Sequence, residues 1–276
     1  MTIQNNPLRQ FFRRPAVFLT LPSGGKFYAE GVIRPTDTGE LPVYPMTAID
    51  EITARTPDAL FNGEGMAQII TSCVPNILQP WAINNVDLDA IFIAIRSASG
   101  ENDMTMDSVC PKCQETNTFT VELNKVLPQL KCPNFDDPLF VNELKIKFKP
   151  LTYKDLNKVS LEQFEIQRMF ANLDNIEDQT LRNEQTQLAL KKVTDTTMRL
   201  ITQAIDYIEA GTERVEEKEY ILDFLTNCDR NVYIEIRDYT NRIREEAQIK
   251  PLHAKCTACN NEYDQPFTLN LTDFFG

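Results

Sequence analysis

The chain has 276 residues, with 28 Lys plus Arg against 40 Asp plus Glu, for a net charge of −12. That excess disfavours nucleic acid as the main ligand, because binding phosphate needs a basic surface. Hydrophobic residues make up 42%, which excludes a chain disordered throughout and suits one large domain or two small ones. A single histidine, His253, excludes relays and metal sites built on several imidazoles.

Residues 1–46 are dense in turn signals. Pro15, Pro22, Gly24, Gly25, Gly31, Pro35, Gly39, Pro42 and Pro45 punctuate short apolar runs such as Val17-Phe18-Leu19. This pattern predicts short strands or an extended arm with tight turns. Ser23-Gly24-Gly25-Lys26 lacks the spacing of a phosphate loop, so its glycines read as a turn with positive φ. Arg9, Arg13 and Arg14 give the arm a basic start suited to an acidic neighbour. No apolar run has signal-peptide form, and none approaches the ~18 residues of a membrane span. A reducing cytoplasm is the expected compartment, where cysteines are metal ligands or buried apolar residues more often than disulfides.

Residues 47–107 read as a compact helical unit. Thr47 with Asp50 marks one helix start, and Thr56-Pro57 marks a second. Met66 to Cys73 forms another helix. Asp87 is expected to cap a helix reaching about Ser99, with Gly100 as its stop. Leu88, Ile91, Phe92 and Ile95 fall on one face, and Ile93 and Ala94 widen it, so this helix is expected in the core.

Residues 108–150 read as β, with period-two alternation in Thr118–Leu123 and Leu144–Lys149. Residues 151–249 read as a helical insertion with four helices. These are Lys154–Leu173, Leu181–Ala210, Glu216–Thr226 and one capped by Asp229. The second carries a stripe of Val193, Thr197, Leu200, Ala204 and Ile208, and the fourth one of Val232, Ile236, Tyr239 and Ile243. The chain returns to β in its last segment and ends Phe274-Phe275-Gly276.

Two CxxC motifs carry the sharpest chemistry, Cys110-Pro111-Lys112-Cys113 and Cys256-Thr257-Ala258-Cys259. Two residues between cysteines let both thiolates of one turn face the same ion, and two such knuckles complete a tetrahedral site. The flanks repeat. Val121, Leu123 and Asn124 follow Cys113 at the offsets by which Phe267, Leu269 and Asn270 follow Cys259. A gap of 142 residues separates Cys113 from Cys256, far more than the ~15–20 usual for such sites. A folded insertion with adjacent ends tolerates it, because loop-closure cost grows only logarithmically with length. A split zinc-ribbon-like β unit, 108–150 plus 250–276, with structural Zn2+ on Cys110, Cys113, Cys256 and Cys259 is the expectation. Reduced or disulfide-linked pairs are the alternative.

A redox role fits less well, because both knuckles lead into strands and not helices. Four thiolates also leave no open position for catalysis. His253 reads as a surface bystander. Cys73, Cys132 and Cys228 read as small buried apolar residues. Asp136-Asp137 fits a turn. No catalytic residues and no organic-cofactor motif are found, and the fold class is expected to be α+β.

The blocks RRPAVFLTLPSGGKFY, GELPVYPMTAIDE, TPDALFNGEGMAQIITSCVPNI and WAINNVDLDAIFIAIRSASG, leading into the first CxxC, resemble the baseplate family of T-even-type contractile-tailed bacteriophages. The resemblance covers residues 13–113 and extends to the carboxyl-terminal CxxC. It implies a structural protein of the tail baseplate, in the hub or the wedges, without enzymatic activity. It also implies assembly in the host cytoplasm; a place in the virion tail in multiple copies, with baseplate, tail-tube or hub proteins as partners, is the expectation. A baseplate-assembly chaperone outside the virion and a zinc-ribbon adaptor unrelated to phage are the competing expectations.

Overall fold

The computed structural model describes residues 7–56, 63–173 and 176–267. The chain divides into two compact units. The first comprises Met1–Pro80, Asp87–Leu130 and Ile249–Gly276; the second comprises Trp81–Val86 and Lys131–Gln248. Its sheets are small and antiparallel and its helices separate from them in sequence, which is the expected α+β class.

In the first unit the basic start is a short 3-10 turn, Pro7–Phe11. Strand β1 (Val17–Leu19) pairs with β2 (Leu41–Val43), Leu19 opposite Leu41. Pro42 is tolerated because this ribbon has only two strands and asks no second neighbour of it. Arg13 does not reach outward. It donates to the Pro45 carbonyl at 2.6 Å and the Ser72 carbonyl at 2.8 Å, and it pairs with Asp50 at 3.4 Å. The expectation that all three arginines serve a neighbour is thereby corrected: Arg13 pins the arm to its own unit.

Helix α1 (Ala48–Ala54) starts at a capping box, with Thr47 accepting from the Asp50 amide and Asp50 accepting from the Thr47 amide. The helix start expected at Thr56-Pro57 falls at Pro57, outside the described residues. Helix α2 (Glu64–Cys73) follows Gly63, which adopts φ 79°.

Helix α3 (Asn85–Ala98) begins ahead of Asp87, so Asp87 is not its cap. Asp87 is fully buried and accepts from the Ser23 amide at 2.8 Å, the Ser23 hydroxyl at 2.5 Å and the Tyr28 hydroxyl at 2.6 Å. Burial raises its pKa, and the three bonds work against that rise. The Ser23 turn thus spends its amide on the chain's own carboxylate. Gly24 and Gly25 adopt φ 64° and 78°, as the turn reading requires. Ala90 to Ile95 are all buried, so the middle of α3 is apolar all round and central to this unit's core.

Strand β3 (Asp103–Val109) begins earlier than residue 108, and pairs with β4 (Thr116–Glu122) from Asp103 opposite Glu122 to Val109 opposite Thr116. In both strands every second residue turns inward, the middle one only half-buried, as in a two-stranded hairpin with one covered face. A single helical turn, α4 (Leu123–Val126), closes the segment.

The second unit is built on a four-stranded sheet in the order β5 (Leu139–Val141), β6 (Leu144–Phe148), β7 (Ile205–Ala210) and β8 (Glu213–Val215). Between β6 and β7 run α5 (Tyr153–Leu173) and α6 (Gln179–Ala204). The helix expected over Leu181–Ala210 therefore stops at Ala204. Residues 205–210 become strand because β6 offers an open edge, and Ile208 and Ile205 settle opposite Ile146 and Phe148. The stripe through Val193 also shifts. Val193 and Thr197 are exposed, and Ala189, Thr196 and Ile201 are buried instead. Glu162 of α5 accepts from Thr196 at 3.0 Å and pairs with Arg199, which turns that side of α6 inward.

Helix α7 (Lys218–Asn227) and helix α8 (Arg230–Ala247) complete this core. Asp229 caps α8, accepting from the Asn231 amide at 2.8 Å. Val232, Ile236 and Tyr239 are buried on one face, with Ile243 packed beside them. Asp136-Asp137 sits in a turn held by Asn134. The chain then returns to the first unit as a second hairpin, β9 (Leu252–Lys255) and β10 (Glu262–Gln265).

Candidate metal centre

Each CxxC forms the tip of a hairpin, the first between β3 and β4, the second between β9 and β10. The two tips have the same backbone. Cys110 N donates to Glu115 O at 2.9 Å, and Cys256 N donates to Asn261 O at 2.9 Å. Gln114 N returns to Cys110 O at 3.0 Å, and Asn260 N returns to Cys256 O at 3.0 Å. Gln114 and Asn260 both take positive φ, 61° and 56°, a conformation that bends the chain back after the second cysteine. Asn tolerates it at little cost; Gln pays more.

The two tips bring four sulfurs together, all within 4.8 Å of one another. The shortest separations run between hairpins: Cys110 to Cys259 at 3.7 Å and Cys113 to Cys256 at 3.5 Å. A disulfide needs ~2.05 Å, and all four are free thiols. A tetrahedron built on metal–sulfur bonds of ~2.3 Å has edges of about 3.8 Å. The donor set and its spacing therefore fit a thiolate-bound metal closed to further ligands.

The thiols are unequal. Cys256 is held down at about 6, first by the Cys259 amide and then, against burial, by the Ala258 amide and the Asn117 side chain. At Cys110 burial opposes ionisation, but the amides of Cys113 and Lys112 outweigh it and the net shift is downward. At Cys113 the Glu115 amide favours the thiolate, yet the neighbouring thiols, led by Cys259, push it up to about 12. Four sulfurs this close do not all ionise unaided; a cation lets them.

Polar links between the hairpins are not announced by the sequence. Asn117 is buried and lies four residues past Cys113. Its Oδ1 accepts from the Thr257 amide and hydroxyl, both at 2.8 Å. Its Nδ2 donates to Glu115 O at 3.1 Å and to Cys256 Sγ at 3.6 Å. Tyr263 holds the same offset past Cys259, and its hydroxyl bonds Ser108 Oγ at 3.0 Å. Ser108 also donates to Gln265 Oε1 at 2.5 Å. Asn117 and Tyr263 hold the same place in their hairpins, but Asn and Tyr share no side-chain character, so the repeat that pairs Val121 with Phe267 does not mark them. Val121 and Phe267 are both buried, whereas Leu269 and Asn270 lie outside the described residues.

A family described as T4 bacteriophage base plate protein matches residues 16–276. The chain belongs to that family. The match takes in both hairpins of the baseplate protein and the whole segment between them, whereas the resemblance covered residues 13–113 and the carboxyl-terminal CxxC. No curated protein and no solved structure matches the chain.

The other predicted residues of this baseplate protein fall away from the sulfurs. His253 is exposed on β9 and pairs with Asp264 at 3.2 Å. Cys73 is fully buried, and burial first, then Asp50, pushes its thiol up to about 11, which makes it inert. Cys132 and Cys228 are half-buried against the core of the second unit. No helix among the described residues is long and apolar enough to cross a membrane.

Proposed function

We propose that this baseplate protein is a structural subunit of a contractile phage tail, at the hub or inner wedge, present in several copies. It works by contact with other baseplate, tail-tube or hub proteins during assembly in the host cytoplasm, without enzymatic turnover. The observation that carries this reading is the family match over residues 16–276. The two hairpins form a zinc-ribbon-like unit, and Zn2+ on Cys110, Cys113, Cys256 and Cys259 is its structural metal. The sulfur spacing and the all-thiolate donor set support zinc. Zinc would cross-link two hairpins 142 residues apart between their nearest cysteines, giving rigidity without a large core.

Mass spectrometry of purified tails tests the assignment. Peptides of this chain at a constant ratio to the tube protein are expected. Their absence, with tails still failing to form when the gene is deleted, would make the chain an assembly chaperone instead. Elemental analysis of the purified protein tests the metal. About one zinc per chain is expected; no bound metal with all four thiols free would remove it.

A further inference from the structure

The baseplate protein carries two exposed surfaces of opposite character. The first is its amino-terminal segment. Arg9, Arg13, Arg14 and Lys26 are the only charged side chains before Glu30, so a +4 segment precedes a remainder of −16. Arg13 is taken up internally, but Arg9 and Arg14 are exposed and have no ion-pair partner among the described residues. Beside them Phe11, Phe12 and Phe18 stand 76%, 57% and 61% exposed. Phe11 and Phe12 stand bare between two free arginines, with Phe18 exposed on β1, and apolar surface of this kind is costly to leave in water.

The second surface is the outer face of α7. Glu219, Tyr220 and Asp223 lie at helical spacing, all exposed, with Glu216 and Glu217 just ahead of them. The cation in this stretch is withdrawn. Lys218 is turned inward to the carbonyls of Ile205 and Thr202, and burial, then Lys149, brings its pKa down to about 8. Arg214 is occupied by Glu216 at 2.7 Å. What faces solvent is an exposed tyrosine ring and the exposed Leu222 among carboxylates.

We propose that the amino-terminal segment of one copy docks on the α7 face of a second copy, Arg9 and Arg14 against Glu219 and Asp223, the phenylalanines against Tyr220 and Leu222. Charge complementarity selects this occupant: the basic, aromatic patch and the acidic, aromatic patch are on the same chain. Two different patches joined in this way make an arm-to-face contact, satisfied in a reciprocal dimer, a closed ring or an open filament. The proposal deepens the structural reading above, and its test uses purified chain alone, so it stands or fails separately from the composition of tails.

The test is sedimentation equilibrium of the full chain at low and high salt. Concentration-dependent association to a dimer or larger is expected, weaker at high salt because exposed pairs are screened. Arg9→Glu with Arg14→Glu weakens it at least about tenfold, since like charges then face each other. Glu219→Arg with Asp223→Arg does the same. Mixing the two variants restores association, because reversed arm then meets reversed face. Phe11→Ser with Phe12→Ser weakens association while keeping its salt dependence. Circular dichroism of each variant confirms an unchanged fold. A wild type that stays monomeric through tens of micromolar overturns the proposal. So does a reversed arm that assembles normally, or a mixture of folded variants that fails to reassociate.

Discussion

Asn117 is the residue on which the two hairpins depend most visibly. It satisfies both ends of its amide on the opposite knuckle and its own, and it is buried, so its loss strands the Thr257 amide and loosens Cys256. Asn117→Ala is expected to lower metal affinity by about 10–100-fold, as loss of a group that orients a ligand does. Competition with a chromophoric chelator reads this directly; unchanged affinity would show that the link is incidental. Metal binding must also expel protons. Cys113, at about 12, is protonated near neutrality when no cation is present, whereas Cys256, at about 6, is mostly not. Affinity is therefore expected to rise with pH through neutrality and to collapse below about 6, with proton release measurable by titration calorimetry in buffers of different ionisation enthalpy.

Asp89 makes stability depend on pH. Burial raises its pKa from 3.8 to about 6. The folded state thus holds the proton that the unfolded state releases, so stability falls as pH rises from about 4 to about 6 and stays lowered above that. Asp89→Asn is expected to stabilise the protein by about 1–2 kcal/mol at pH 7.5 and by almost nothing near pH 4. Urea unfolding at the two pH values measures the difference. A gain that is equal at both would contradict the burial argument.

At the scale of elements, what was legible followed from local chemistry. Thr47 and Asp50 announce a capping box, Asp229 an N-cap, and Val232, Ile236 and Tyr239 a helical stripe; each is where the sequence places it. What was not legible depended on partners distant in sequence. Ile205 and Ile208 continue a helical pattern as well as they fill a strand, and only the edge of β6 decides between the two. Asp87 has the residue type and position of a cap, but Ser23 and Tyr28, far away in sequence, draw it into the core. The cysteine spacing and the repeated flanks made the four sulfurs readable. The Asn117 link was not, because its partner lies across the second hairpin. The helical stripe of α8 has a checkable weight: Ile236→Ala, at a fully buried site, is expected to cost about 2–5 kcal/mol in urea unfolding.

In the molecule as a whole, the metal hairpins rest on different physics from the apolar cores, of which the first unit has its own around α3. The second unit has a continuous apolar core of Ile146, Phe148, Ile205, Ile221, Leu225 and Ile236. The hairpins of the first are thin, and their sulfurs and polar links take the place of a core. Chelation should therefore act unevenly. Removing the metal is expected to speed amide exchange in β3, β4, β9 and β10 while leaving α7 and α8 protected, as hydrogen exchange with mass spectrometry would resolve. Uniform loosening would mean that the metal supports the whole fold.

The role proposed for this chain is that of a built-in part of the baseplate, held in shape by a four-cysteine metal clamp. A side-chain-resolution density map of the assembled baseplate tests it most directly. Density for both units is expected, contacting neighbouring subunits, with one strong peak between Cys110, Cys113, Cys256 and Cys259. A complete baseplate with no density for this chain would contradict the claim outright, and a chain present with its four sulfurs apart would contradict the clamp.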